Sequence, residues 1–231
     1  IPFISRYRKE ATGALNDEVL RNLYERLNYL RNLEDKKNQV LASIEEQGKL
    51  TEELKKQILA AQTLVVVEDL YRPYRPKRRT RATIAKEKGL EPLANIILLQ
   101  MTDKSLEEEA KAFLSEEKEV KTPQDAIAGA KDIVAESISD EADYRIRIRD
   151  MTVKKGRVVS AAKNPKESSV YEMYYEYEEP IAKVAGHRVL ALNRGEKEKV
   201  LTVKIEAPTE DIIRYLEKQV ITAVTPTPHL F

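Results

Sequence analysis

The 231-residue chain has 42% hydrophobic and 34% charged residues, enough apolar material for a core without covalent staples. Forty Lys and Arg against 39 Asp and Glu leave a formal net charge of +1, which excludes a global field drawing the molecule to nucleic acid, so any such attraction is local. The absence of cysteine excludes disulfides, thiolate metal sites and cysteine nucleophiles, and fits a reducing, cytoplasmic compartment.

In chain order, the first strong pattern runs over residues 16–47. Leu20, Leu23, Leu27 and Leu30 recur at steps of three and four, and Leu41 and Ile44 resume the phase. This heptad spacing predicts one long helix with those side chains on its packed face, Leu33 and Val40 lying beside the seam and Glu34 and Lys37 interrupting it. Gly48 supplies the left-handed stop. Thr51 caps a second helix with Leu54, Ile58 and Ala61 on its apolar face, so residues 16–63 read as a helical hairpin. Leu64–Val67 suits either helix or strand.

In YRPYRPKRRTR, Pro73 and Pro76 remove two amide donors and bias their predecessors away from helix, which predicts a loop. Thr80 or Arg81 opens a short helix ended by Gly89, and Pro92 starts another, a pair that is helix-turn-helix-like at a coarse level. Residues 105–119 carry six Glu against two Lys and read as an exposed helix plus tail. Thr122, Pro123 and Asp125 form a helix start, followed by Ile127, Ala130, Ile133 and Val134 as a buried face. Residues 144–148 continue as helix, although RIRIRD alternates as a strand does. RVVSAA and VLTVKIEA read as short strands pairing in a small sheet, and Thr209–Lys218 as a closing helix. The predicted class is mainly α: a multi-helix amino-terminal scaffold with a small β element in the C-terminal half. Composition suggests a helical domain over 1–120, with the hairpin and basic loop, and a helical continuation over 121–231.

The sharpest chemical feature is basic. Arg72, Arg75, Lys77, Arg78, Arg79, Arg81, Lys86 and Lys88 face only Glu87 over residues 71–88, a local net charge of +7. Arginine forks match phosphate oxygens and tyrosines stack on bases, so these residues, with Arg6, Arg8 and Lys9 at the start of the chain, are candidate contacts for RNA or DNA, weak and non-specific in kind. The competing reading pairs the same cations with the acidic helix at 107–119 and other carboxylates of the fold. In YEMYYEYEEP the tyrosines either bind a proline-rich or basic partner, or Tyr171, Tyr174 and Tyr175 cover the core while the glutamates face water. His187 and His229, the only histidines, are far apart in sequence, and no nucleotide-binding or hydrolase signature occurs. No catalytic residue, metal site or cofactor is expected, so the chain reads as a non-enzyme. With no run of about 18 apolar residues and no signal-like start, no membrane partner is expected.

Three runs, IPFISRYRKEATGAL, ERLNYLRNLEDKKNQVLASIEEQGKLTEELKKQI and EDLYRPYRPKRRTRATIAKEKGLEPLA, stand in the order of the amino-terminal region of the Tex family of transcription accessory proteins, which the chain closely resembles. YYEYEEPIAKVAGHRVLALNRGEKEKVLTVKI is similar to its continuation, whereas LVVV at 64–67 departs from the more polar stretch expected there. The resemblance implies a nucleic-acid-binding, transcription-associated scaffold. It implies further domains of the same protein, RNase H-like of YqgF type, helix-hairpin-helix and a carboxy-terminal OB-fold RNA-binding domain, and so an excerpt beginning at Ile1. The implied partners are nucleic acid, the transcription machinery and those domains, with the basic loop a surface for any of them.

Overall fold

Six helices begin on an Asn, Ser or Thr whose side chain accepts an amide hydrogen bond in the first turn, in a computed structural model that describes residues 1–222. Over those residues the protein is 66% helical, with twelve α-helices and one three-stranded antiparallel sheet, the mainly α class that the sequence predicts. Contacts divide the chain into two compact units, Ile1–Pro76 and Lys77 onward.

In the first unit, α1 (Pro2–Tyr7) and α2 (Lys9–Thr12) precede α3 (Asp17–Glu46), α4 (Glu52–Ala60) and α5 (Leu64–Tyr71), which ends in a 3-10 turn at Arg72–Tyr74. Asn16 Oδ1 accepts from the Val19 amide at 2.9 Å to start α3, and Asp17 and Glu18 lie at its positive end. Gly48, at φ 65°, ends it where a side chain would be strained. Thr51 caps α4, and Thr63 caps α5, which resolves the ambiguous LVVV run as helix. The core gathers Leu33, Val40 and Ile44 of α3 with Leu54, Ile58, Ala61 and Val67.

The predicted packed face of α3 is corrected by the structure. Leu23, Leu27 and Leu30 are 58%, 42% and 40% exposed, while Leu33 and Val40, placed beside the seam, are buried. Length explains the difference. At about 1.5 Å per residue α3 spans roughly 45 Å, whereas α4 and α5 span roughly 14 and 12 Å and cover only its second half. Lys37, an interruption of the predicted seam, is itself buried, its Nζ donating to the Leu59 carbonyl at 2.9 Å and to Glu34 Oε1 at 2.8 Å.

The second unit opens with α6 (Arg81–Glu87), α7 (Glu91–Leu99) and α8 (Leu106–Ala110), followed by a 3-10 turn at Lys111–Phe113, then α9 (Pro123–Asp140) and α10 (Ala142–Lys155). Helices α6, α7 and α8 pack against α9 around Ala82, Ala85, Leu90, Leu93, Ala94, Ala126, Ala130 and Ile133. The division suggested at residue 120 falls within this core, since Leu93 and Ala110 precede it and Ala126 and Ala130 follow it. Gly129 permits the close approach of α9, because a Cβ there would lie 2.4 Å from Leu90 Cδ1. The 105–119 stretch is less exposed than its glutamates suggest. Ala110 and Val120 are fully buried, and Ser115 and Val120 form an isolated bridge, so its charges face outward from one apolar edge.

The remaining elements are β1 (Arg157–Ala162), β2 (Glu176–Pro180), α11 (Gly186–Lys197), β3 (Leu201–Glu206) and α12 (Thr209–Val220). The strand order is β2-β1-β3, with Ser160 opposite Tyr177 on one side and Val203 on the other. The expected β1–β3 pairing is present, and β2, drawn from the tyrosine-rich run, is an addition. Tyr171 and Tyr174 are buried with Leu192 and Leu201, and Tyr175 packs against them, so the core-covering reading of these tyrosines holds. RIRIRD is helical within α10. His187 lies in α11, and His229 lies outside the described residues.

Candidate nucleic-acid interface

The boundary between the two units falls inside the basic segment, after Pro76, so its cations belong to two settings. On the first unit the segment is held by its tyrosines. Tyr71 Oη lies 2.9 Å from Ser43 Oγ, Gln47 Nε2 donates to the Tyr74 carbonyl at 2.9 Å, and both rings pack against the core formed by α3, α4 and α5. The 3-10 turn, with Pro73 inside it, closes through the Arg75 amide donating to the Tyr71 carbonyl at 3.0 Å. These rings are half-buried, so they anchor the backbone and are poorly placed as platforms for bases. Arg72 and Arg75 point their exposure outward; Arg75 Nη1 lies 3.8 Å from Glu68, which is held more closely by Lys36 at 2.6 Å.

On the second unit the partner is α9. Asp132, Glu136 and Asp140 recur every four residues and so share one helix face. Lys77 pairs with Asp140 and lies 3.4 Å from Glu136, and Arg81 Nε lies 3.6 Å from Asp132. Thr80 does two jobs: its hydroxyl caps α6 by accepting from the Thr83 amide at 3.1 Å and donates to Glu136 Oε1 at 3.0 Å. The lysine is therefore a partly buried charge, its side chain 27% exposed and shared between two carboxylates. Arg79 and Arg81 are different. Their side chains are 70% and 87% exposed, and their contacts to Glu87 at 3.1 Å and Asp132 are surface pairs, worth about 0–1 kcal/mol. Arg78 is exposed and forms no ion pair or hydrogen bond among the described residues.

The acidic run at 107–119 takes a smaller share of this neutralisation than the sequence suggests. Lys88 reaches Glu119, at 3.9 Å to its carboxylate and 3.3 Å to its carbonyl, whereas the α9 acids take Lys77 and Arg81. Sequence reading passed over those acids, although DIVAESISD shows the four-residue spacing that aligns them. A cavity of about 260 Å³ beside them is lined by Arg81, Lys88, Glu119, Asp125 and Asp132 around Leu90 and Val120. Three carboxylates against two cations make it a poor cradle for phosphate. The Asp125 carboxyl is held below the usual carboxylate range, chiefly by the hydrogen bonds of the capping box it forms with Thr122.

The amino-terminal cluster contributes separately. Arg6 and Lys9 are exposed, and Arg8 Nε is held by Glu10 Oε1 at 2.5 Å. Away from the basic residues, Tyr177 and Arg188 both hydrogen-bond the Glu179 carboxylate, which lowers its pKa and ties β2 to α11. Among the described residues, no group of three or more His, Asp or Glu side chains is placed to hold a metal ion, and no helix is long and apolar enough to cross a membrane.

Two family models cover most of the chain. The Tex central region-like model matches residues 102–226, and the Tex-like protein N-terminal domain matches residues 1–45. The chain is 54% identical over 224 residues to the uncharacterized protein YdcI of Bacillus subtilis, covering 96% of the chain and 31% of that relative. It is 41% identical over 213 residues to the transcriptional accessory protein Tex of Neisseria gonorrhoeae, 91% of the chain and 28% of the relative. The human S1 RNA-binding domain-containing protein 1 is 32% identical over 214 residues, 89% of the chain and 21% of the relative. The chain thus spans less than a third of the length of each. With more than half of its residues within one family model and an N-terminal model ahead of it, the chain belongs to the Tex family.

Proposed function

We propose that this chain is a non-catalytic helical scaffold within a transcription accessory protein, and that Arg78, Arg79 and Arg81 give it an auxiliary, sequence-independent contact to the phosphate backbone of nucleic acid. The observation that carries the reading is the exposure of these guanidinium groups on a backbone pinned on one side by Pro76 and on the other by the Thr80 cap. Exposed, weakly paired guanidinium groups can exchange their carboxylates for phosphate oxygens at little loss, whereas Lys77 would have to abandon two. Arg72, Arg75, Arg6, Arg8 and Lys9 are secondary contributors in this proposal, and the short pair α6–α7 is the helix-turn-helix-like element that presents Arg81. The names of the relatives support the setting: one is called a transcriptional accessory protein, and another carries an RNA-binding domain in its name.

A second reading has the observation of the α9 carboxylates behind it. Because Lys77 and Arg81 already meet acids, the segment can serve as a rigid docking surface for other domains of the parent protein or for the transcription machinery. Salt dependence separates the two. Under the phosphate reading, the chain binds duplex DNA and single-stranded RNA weakly in fluorescence anisotropy, with a log–log salt slope of roughly −0.9 per phosphate contact on duplex DNA and roughly −0.7 on single strands. Replacing Arg78, Arg79 and Arg81 by Gln should flatten that slope by about two to three contacts. An unchanged affinity and slope in this variant sinks the assignment and leaves the docking reading.

A further inference from the structure

The amino-terminal half of α3 carries an apolar stripe with nothing from its own unit covering most of it. Leu20 is buried, but Leu23, Leu27 and Leu30 are not, and none of the three belongs to the core that holds Leu33, Val40 and Ile44. Their three-four spacing is that of a coiled-coil seam, in which each leucine inserts between side chains of a facing helix. Beside the three exposed leucines the flanking charges are basic, whereas the e position before Leu20 holds Asp17, which pairs with Arg21. With Leu20 and Leu27 at a and Leu23 and Leu30 at d, Arg26 takes a g position and Arg31 the following e position. Both arginines are exposed, and neither forms an ion pair among the described residues; Arg26 rests over the Tyr29 ring at 5.2 Å.

A second copy of this chain is a poor occupant. A parallel pair sets Arg26 of one copy against Arg31 of the other, and an antiparallel pair centred on the stripe sets Arg26 against Arg26, so these like charges meet in either orientation. We propose that this stripe docks an amphipathic helix of another polypeptide, one whose leucine-type seam is flanked by acidic residues. The surface uses residues of the first unit alone and is separate from the phosphate contact proposed for residues 78–81.

The test uses the whole chain and two synthetic peptides of about three heptads, each with Leu at a and d, one with Glu and the other with Lys at e and g. Calorimetric titration at low salt should show the Glu peptide binding at least about tenfold more tightly than the Lys peptide. The double variant Arg26→Glu/Arg31→Glu should invert that preference, and Leu23→Ser/Leu27→Ser should weaken the Glu peptide by about tenfold or more. Equal binding of the two peptides, binding by neither, or a preference untouched by the arginine exchange overturns the proposal. So does a dimer of the native chain in sedimentation that Leu27→Glu dissociates. Because Arg26 and Arg31 are exposed, the arginine variant keeps the test decisive even where the leucine variant fails to fold, which circular dichroism reports.

Discussion

Both halves of α3 carry an apolar stripe, interrupted between them by Glu34 and Lys37, and the two have opposite fates. In the carboxy-terminal half, Val40 and Ile44 are buried by α4 and α5, with Ile58 and Val67 facing them. In the amino-terminal half, Leu23, Leu27 and Leu30 stand exposed on a helix of the same regularity. Periodicity states which side chains share a helix face, whereas burial requires a second element long enough to reach them. Here the two short helices that follow α3 run out before its first half is covered.

The sharpest way to break this comparison is at its buried end. Ile44→Ala removes a fully buried side chain from the centre of the first core and should cost about 2–5 kcal/mol, read as a lowered denaturation midpoint at unchanged slope. A loss near that of a surface site would mean the half is not packed as described. Lys37 sits at the transition between halves. Lys37→Ala deletes its stem and the donor to the Leu59 carbonyl, for an expected loss of about 1–3 kcal/mol in the same unfolding measurement. Stability equal to the native chain would show that water replaces the ammonium without penalty. The smallest effect belongs to the exposed half. Leu27→Ala should change stability by no more than about 0.5 kcal/mol, and a loss comparable with that of Ile44→Ala would show that the stripe is covered within the chain.

The basic segment gives a second form of the same lesson. Adjacent residues of one charge divide by what stands opposite them: Lys77 lies between Glu136 and Asp140, whereas Arg78 has no ionic partner among the described residues. The loop predicted over the whole YRPYRPKRRTR run is present at 75–80 only, since Tyr71 ends α5 and Arg72, helical before Pro73, opens a 3-10 turn; Thr80 and Gly89 bound α6 as expected. The acids on α9 were written in the sequence at four-residue intervals. Their proximity to Lys77 was not, because it depends on α6 packing against α9 more than 40 residues later in the chain.

By itself the sequence determined several helix boundaries, those of α3 and α6 and the starts of α4 and α9, since Asn16, Thr51, Thr80, Thr122, Gly48 and Gly89 act on backbone groups within a few residues of themselves. It also pointed to the pairing of β1 with β3, both short runs carrying β-branched residues, and to the family, whose models match residues 1–45 and 102–226. Only the tertiary structure decided which leucines of α3 are buried, that Glu176–Pro180 joins the sheet, and which cations of the basic segment are neutralised. Those outcomes depend on contacts between residues distant in sequence, and neither periodicity nor local charge carries that information.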